Sequence, residues 1–235
     1  MPRRPGPTLT ELLIQALSST RGGYDRLAPR FDHTPFRTPD DVLAATAAHH
    51  GAPVARGLYV CCGTGAETAM LRAQCTERVV GVDFSRGMLD VARRRTASAP
   101  GRAALSFVRA DALELPFFGG FDLAVSFGAF GHFRRPEQPR LLAGIRRALR
   151  PGGRFVFVTG ELGARDAAWW VYRAFNGAMR IRNRLIRPRF VMYYLNFPTG
   201  EALARCDAAG LPAVAVPLGL ERAPRLRIVT AVRRG

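Results

Sequence analysis

Leu58-Tyr59-Val60-Cys61-Cys62-Gly63-Thr64-Gly65 is the stretch on which the reading of this chain turns. An apolar run of strand length ends in two glycines one residue apart, and a helical pattern starts at Ala66. Glycines there let the backbone approach a ligand closely, and the free N–H groups of the following helix's first turn face the same space. Taken alone, the same residues would also make an ordinary tight strand-to-helix turn. Outward from it the pattern continues: strand Arg78–Val82, helix Arg86–Arg95, strands Leu105–Arg109 and Phe121–Phe127, helix Pro136–Leu149, strand Arg154–Thr159. Strands alternating with helices imply parallel βαβ units, hence an α/β, doubly wound open sheet with its ligands at the carboxyl ends of the strands. A helix over Gly200–Ala209 precedes two closing strands near Ala213–Leu218 and Leu226–Val232. Too few residues separate those two for a crossover helix, so they should pair antiparallel.

The 235 residues, 48% apolar and 23% charged, suit one sizeable globular domain rather than a fibre or a disordered tail. All 35 basic residues are arginine, against 18 acidic ones, for a formal net charge of +17. With no lysine there is no Walker P-loop, Schiff-base lysine or lysine general base. So basic a balance fits phosphate binding, and it equally fits a coding bias that writes arginine wherever lysine would do. Cys61, Cys62, Cys75 and Cys206 are too few and too irregular for a disulfide framework or a zinc site. No apolar run reaches the roughly 18 residues of a membrane span, and Met1–Thr20 lacks the apolar core of a signal peptide. A reduced, cytoplasmic protein is expected.

Two carboxylates stand at strand tips beside the glycine turn. Asp83 ends Val80-Gly81-Val82-Asp83, ahead of Phe84-Ser85-Arg86-Gly87-Met88. It is placed to accept hydrogen bonds from two ribose hydroxyls, or else to cap the next helix. Asp111, in Arg109-Ala110-Asp111-Ala112, could accept from an exocyclic adenine amine, with Phe84 and Met88 giving the ring apolar contacts.

Five segments in succession now resemble one family. They are Leu58–Gly65, Val82-Asp83-Phe84-Ser85, Ala110-Asp111-Ala112-Leu113-Glu114-Leu115-Pro116-Phe117, Phe121-Asp122-Leu123 and Leu149-Arg150-Pro151-Gly152-Gly153-Arg154. Over residues 58–160 the chain looks like the class I S-adenosylmethionine-dependent methyltransferases, and most like their small-molecule, quinone or lipid branch. The resemblance implies a Rossmann-like seven-stranded sheet ordered 3-2-1-4-5-7-6, strand 7 antiparallel. It places Gly63 and Gly65, with Cys62 and Thr64 between and beside them, at the methionine part of the cofactor. Asp83 would take the ribose hydroxyls, Asp111 the adenine amine with Ala112 beside it, and Phe127 would line the sulfonium end. Tyr24-Asp25-Arg26-Leu27-Ala28-Pro29-Arg30-Phe31-Asp32 resembles the family's N-terminal helix that folds over the cofactor, which brings Tyr24 to the site. Two positions depart from the pattern: the family usually has an acid where Tyr59 stands and a glycine where Cys61 stands. That acid helps to bind the cofactor's ammonium, and losing one charge-assisted bond costs about 1.5–3 kcal/mol unless another group substitutes.

Methyl transfer from a sulfonium is an in-line displacement, so the protein must mainly hold the nucleophile about 3–3.5 Å from the methyl group and exclude water. A base is needed only for a nucleophile that arrives protonated. His132, in Phe130-Gly131-His132-Phe133, is the catalytic candidate, with a structural or substrate-orienting role as the alternative; His33 is a second possibility, and His49 and His50 read as solvated. Ser126-Phe127-Gly128-Ala129 occupies the place of the D-P-P-Y-type tetrapeptide of exocyclic amino methylation on DNA bases. Neither a cysteine for cytosine C5 attack, nor the paired-glutamate loop of arginine methylation, nor an acidic magnesium cluster is present.

The division expected is an N-terminal helical cap over 1–56 and a cofactor-binding domain over 57–235, with a lid insertion at about 161–198. Between Asp166 and Arg187, Arg173, Arg180, Arg184 and Arg187 share one helical face, opposite Ala168, Val171, Tyr172, Phe175, Met179, Leu185 and Ile186; Arg182 interrupts the apolar side. Such a stretch makes either a lid able to touch anionic headgroups at a membrane surface or an ordinary packed helix. Trp169, Trp170, Tyr193 and Tyr194 would line an apolar cavity under a lid, or else belong to the core. The expected function is S-adenosylmethionine-dependent methylation of a hydrophobic small molecule, quinone-like, polyketide or lipid. An RNA methyltransferase using the arginine face and a non-catalytic partner subunit are the rival readings; the missing motifs argue against nucleic acid.

Overall fold

The computed structural model describes residues 8–34, 37–161, 167–194 and 197–235. The Pro/Arg leader and the first residues of the expected lid helix, Asp166 among them, lie outside that set. The glycine turn follows β1 (Val54–Val60), whose last four residues are buried, as a central parallel strand covered on both faces requires. Next come β2 (Cys75–Asp83), β3 (Ala104–Arg109), β4 (Phe121–Ser126), β5 (Leu149–Gly160), β6 (Ala213–Pro217) and β7 (Leu226–Val232). They form one sheet in the order β3-β2-β1-β4-β5-β7-β6, with β7 antiparallel to both neighbours. The expected seven-stranded order is the one found. β1 begins at Val54 rather than Leu58, because Asp122 accepts the Arg56 N–H at 2.7 Å and Glu77 pairs with the Arg56 guanidinium at 2.8 Å. It stops short of Cys62 because Cys61 turns the backbone left-handed, at φ 60°.

Alternation along β1 sends Leu58 and Val60 to one side of the sheet and Tyr59 to the other. The first side packs on α6 (Gln138–Ala148) and α8 (Thr199–Ala208) through Leu141, Leu142, Ile145 and Ala202. The second packs on α3 (Asp40–Ala48), α4 (Ala66–Gln74) and α5 (Arg86–Thr96) through Val42, Leu43, Leu71 and Leu89. Gly65 caps α4 at φ 76°, where a Cβ would stand 2.8 Å from that of Ala92 on α5. A side chain there meets both left-handed strain and overpacking, so Gly65→Ala is expected to cost about 2–4 kcal/mol of stability. Urea unfolding measures it; an unchanged midpoint would mean that the contact between α4 and α5 is slack.

The N-terminal segment, α1 (Leu9–Leu17), α2 (Thr20–Leu27) and a 3-10 turn over Ala28–His33, is clasped to the strand tips by two carboxylates. Asp25 accepts from Ser85 Oγ at 2.6 Å and from Gly87 N at 2.9 Å. Asp32 accepts from Thr64 Oγ1 at 2.6 Å and pairs with Arg95. The helix expected as a lid is α7 (Ala167–Leu185). Two of its asparagines, two turns apart, each trade both hydrogen bonds with one backbone residue of the extended segment that follows. Asn176 bonds Tyr194 N and O at 2.8 and 2.7 Å, and Asn183 bonds Phe190 N and O, both at 2.8 Å. Arg182 belongs to the same joint, since its guanidinium donates to the carbonyls of Pro188 and Ser18. Two expectations for this region are corrected. Val171 and Leu185 are exposed, because Phe175, Met179 and Asn183 form the face turned inward. His50 is buried rather than solvated, with Nδ1 bonded to Gln74 Oε1; His49 is exposed. Among the described residues no helix is long and apolar enough to cross a membrane.

Candidate active site

At the carboxyl ends of β1 and β2 the chain builds a carboxylate cradle. Gly63, at φ 52°, has no atom within 4 Å of the point where a Cβ would stand, so the turn's floor is open. Its N–H donates to Asp83 Oδ2 at 2.9 Å, and the Ser85 N–H donates to Asp83 Oδ1 at 2.9 Å. Each oxygen thus accepts one of these two bonds and, with two lone pairs, keeps an acceptor site for a ligand. Burial raises the Asp83 pKa to about 6, against the pull of the Ser85, Gly63 and Phe84 N–H groups. Asp111 is exposed and uses Oδ1 to accept from Leu113 N at 2.9 Å; Oδ2 has no partner among the described residues.

These groups open on one cavity of about 590 Å³. Cys62, Gly63, Thr64 and Asp83 line it from the strand tips, Phe84 from the turn after β2 and Met88 from the first turn of α5. Asp111 and Ala112 line it after β3, Phe127 and His132 after β4, and Tyr24 reaches it from α2. Gly65 does not line it and serves the helix packing described above. Tyr193 and Tyr194 line the cavity, whereas Trp169 and Trp170 do not; Trp170 is exposed. His33 is exposed and outside it.

His132 has both ring nitrogens engaged. Nδ1 lies 2.8 Å from the Val191 carbonyl oxygen, which only accepts, so Nδ1 carries the proton. Nε2 is then the bare nitrogen, and at 2.9 Å it accepts from the Tyr24 hydroxyl. Burial lowers the His132 pKa below its ordinary value and raises that of Tyr24, so both are neutral near pH 7.

Sequence reading passed over two residues of this cavity, Glu67 and Arg37. Glu67 sits in the first turn of α4, where an acid reads as a response to the helix dipole, yet it is buried and within hydrogen-bonding reach of the Tyr59 phenol. Burial raises its pKa. Arg37 faces the same cavity, with Nε buried, without a hydrogen bond and 3.9 Å from Asp32 Oδ1, and the outer guanidinium paired with Asp40. The one usable signal was that Tyr59 and Glu67 exchange an expected acid for a polar group and an unexpected position for an acid. The Cys61 and Cys62 thiols are pushed well above their ordinary range by burial and make poor nucleophiles. Among the described residues no cluster of three His, Cys, Asp or Glu could hold a metal ion.

An open α/β sheet of this order, with a carboxylate cradle at its switch point, defines the Rossmann-like class I architecture. Residues 58–153 match the family model described as a methyltransferase domain. The chain is 38% identical over 164 residues to a demethylmenaquinone methyltransferase of Symbiobacterium thermophilum, covering 65% of this chain and 61% of that protein. It is 46% identical over 141 residues to the demethylmenaquinone methyltransferase of Clavibacter sepedonicus, covering 57% and 54%. The chain thus spans between about half and three fifths of these relatives' length. Among solved structures, a DhpI–SAH complex shares the fold at TM-score 0.68 and 18% identity, covering 97% of this chain and 99% of that one. A putative O-methyltransferase of Nostoc punctiforme does so at TM-score 0.70 and 16% identity, covering 93% and 62%. Over residues 58–153 the chain is thus similar in sequence to methyltransferase domains, and along most of its length it shares the fold of class I S-adenosylmethionine-dependent methyltransferases.

Proposed function

We propose that this protein methylates a hydrophobic, quinone-like small molecule with S-adenosylmethionine as donor. One observation carries the proposal: a single cavity joins the Asp83–Gly63 cradle to an aromatic pocket around His132, Tyr193 and Phe197. Its volume suits a cofactor's reactive end and a compact ring, and its aromatic walls favour a small apolar acceptor over a polynucleotide. The relatives named for demethylmenaquinone make a prenylated naphthoquinol the first acceptor to try.

The residues present fit the donor. The two free acceptor sites of Asp83 match a ribose diol, Asp111 Oδ2 an adenine amine, and Phe84 and Met88 the faces of the ring. Glu67 would receive the α-ammonium in place of the acid absent at Tyr59, and Arg37 the α-carboxylate. The bound sulfonium supplies an electrophilic methyl group; the protein orients the acceptor and takes the proton that the acceptor loses. Tyr24 and His132 form the path for it. The Tyr24 oxygen receives the acceptor's proton while its own passes to His132 Nε2, and the Val191 carbonyl steadies the resulting imidazolium through Nδ1–H.

Glu67→Gln is expected to weaken S-adenosylhomocysteine binding about 10–100-fold, the worth of one charge-assisted hydrogen bond. Titration calorimetry measures this directly, and an unchanged affinity would remove Glu67 from the cofactor site. The proposal as a whole is tested by transfer of labelled methyl to a reduced prenylated naphthoquinone. Tight cofactor binding with no transfer to any quinol would refute the acceptor class and leave the cofactor site standing.

A further inference from the structure

The lid helix α7 has a second apolar face, turned away from the cavity. Trp170 (57% exposed), Ile181 (62%) and Leu185 (76%) lie on it, with exposed Ala174 and Ala178 between them. At 100° per residue these five fall within an arc of about 80°, so they form one stripe along the helix. Arg173, Arg180 and Arg184 run along its flank, all exposed. Arg180 and Arg184, with Arg134, Arg187 and Arg189, also border a recess of about 240 Å³ at the end of the lid. Arg180 and Arg184 have no ion pair among the described residues, in a protein where most acidic side chains are already matched with arginine. The Arg182–Ser18 bond holds the end of α1, with exposed Leu17, close by.

From this geometry we infer that α7 is an interfacial helix that seats the protein on an anionic lipid surface, its apolar stripe at the acyl boundary and its arginine flank among the headgroups. An apolar stripe beside an arginine row is what such a surface complements: hydrocarbon covers the stripe and phosphates take the guanidinium groups. A polynucleotide would satisfy the arginines and leave Trp170, Ile181 and Leu185 wet. A second copy of the chain, stripe on stripe, would bring one arginine row against another within a molecule of net charge +17. The inference does not depend on methyl transfer, yet it suits it. The inner face of the same helix is tied to Tyr194 and Phe190, which flank cavity-lining Val191, Met192 and Tyr193, so a lipid-soluble acceptor would have a short way in.

The protein carries its own reporter, because its two tryptophans, Trp169 and Trp170, are both in the first turns of α7. The experiment is flotation with phosphatidylcholine vesicles, with and without phosphatidylglycerol, together with tryptophan emission. Expected are binding to the anionic vesicles only, a blue shift on binding, and release by high salt. Ile181→Ser/Leu185→Ser and Arg180→Gln/Arg184→Gln should each weaken binding about tenfold or more, since either face alone holds poorly. The arginine pair is exposed and without an ion pair among the described residues, which keeps the test valid should the apolar pair disturb folding. Three results overturn the inference: no binding to anionic vesicles, binding that neither variant weakens, or a dimer in sedimentation that the Ile181→Ser/Leu185→Ser variant dissolves while vesicles are ignored.

Discussion

Replacing Asp83 with alanine is expected to weaken S-adenosylhomocysteine binding by about 10²–10⁴, more than any other single change at the cradle. Two hydrogen bonds from a ribose diol to a buried carboxylate are charge-assisted, each worth about 1.5–3 kcal/mol, and alanine deletes both acceptors at once. It also leaves the Gly63 and Ser85 N–H groups without the oxygens they now reach at 2.9 Å, so the turn loosens as well. Titration calorimetry at constant pH reads the loss. A second signature follows from the same environment. Because burial holds the Asp83 pKa at about 6, the carboxyl is protonated in a growing fraction of free protein as pH falls through that value, and one acceptor site becomes a donor. Affinity should therefore be flat above about pH 7 and drop up to tenfold per unit below 6. Asp83→Asn should bind weakly and with a shallower fall in acid, what is left belonging to the buried Glu67 carboxyl, whose pKa burial also raises. Wild-type affinity that stays level down to pH 5 would mean that Asp83 does not touch the ligand.

His132→Ala is expected to lower kcat by about 10²–10⁴ while leaving S-adenosylhomocysteine affinity unchanged, the signature of a proton acceptor rather than a cofactor contact. A proton acceptor has to be neutral and burial favours the neutral ring, so on the proposed role the wild-type rate should fall only on the acid side, with its midpoint below the ordinary imidazole value. Tyr24→Phe separates the path from the base. If the proton travels through the phenol, removing the hydroxyl should cost at least about tenfold in kcat. If His132 takes the proton directly, freeing Nε2 from the 2.9 Å bond should leave the rate equal or higher, and the two-step path would be wrong.

The cradle was legible in the sequence because its parts are local. Strand, glycine turn and helix fall within a dozen residues around Leu58–Gly65, and Asp83 and Asp111 sit at the tips of neighbouring strands that parallel pairing must align. What stayed hidden depends on contacts between distant segments. The Tyr24–His132 bond spans 108 residues, and no spacing rule announces it. Cys61 looked like a departure in side-chain size, whereas its cost is conformational: a left-handed φ of 60°, where glycine is at ease and cysteine is not. Glu67 was invisible for a different reason, since an acid in the first turn of a helix has a sufficient local explanation until burial shows that it faces a cavity. On α7, periodicity found an amphipathic helix and misplaced Val171 and Leu185, because a helix with apolar residues on two faces gives a pattern that does not say which face is inside.

The asparagine joint has a consequence for the imidazole. Asn183 holds Phe190 by both backbone atoms, and the next carbonyl along, that of Val191, is the one that His132 Nδ1–H reaches. The position of α7 thus selects the tautomer: with the helix docked, the nitrogen toward Tyr24 is bare. Were α7 to lift, the ring would lose the carbonyl that keeps the proton on Nδ1, and the two tautomers would mix. On the proposed path, proton transfer would then depend on α7 staying docked, because with the tautomers mixed only part of the imidazole presents a bare Nε2 toward Tyr24. Imidazole nitrogen chemical shifts offer a direct gauge of whether α7 is docked.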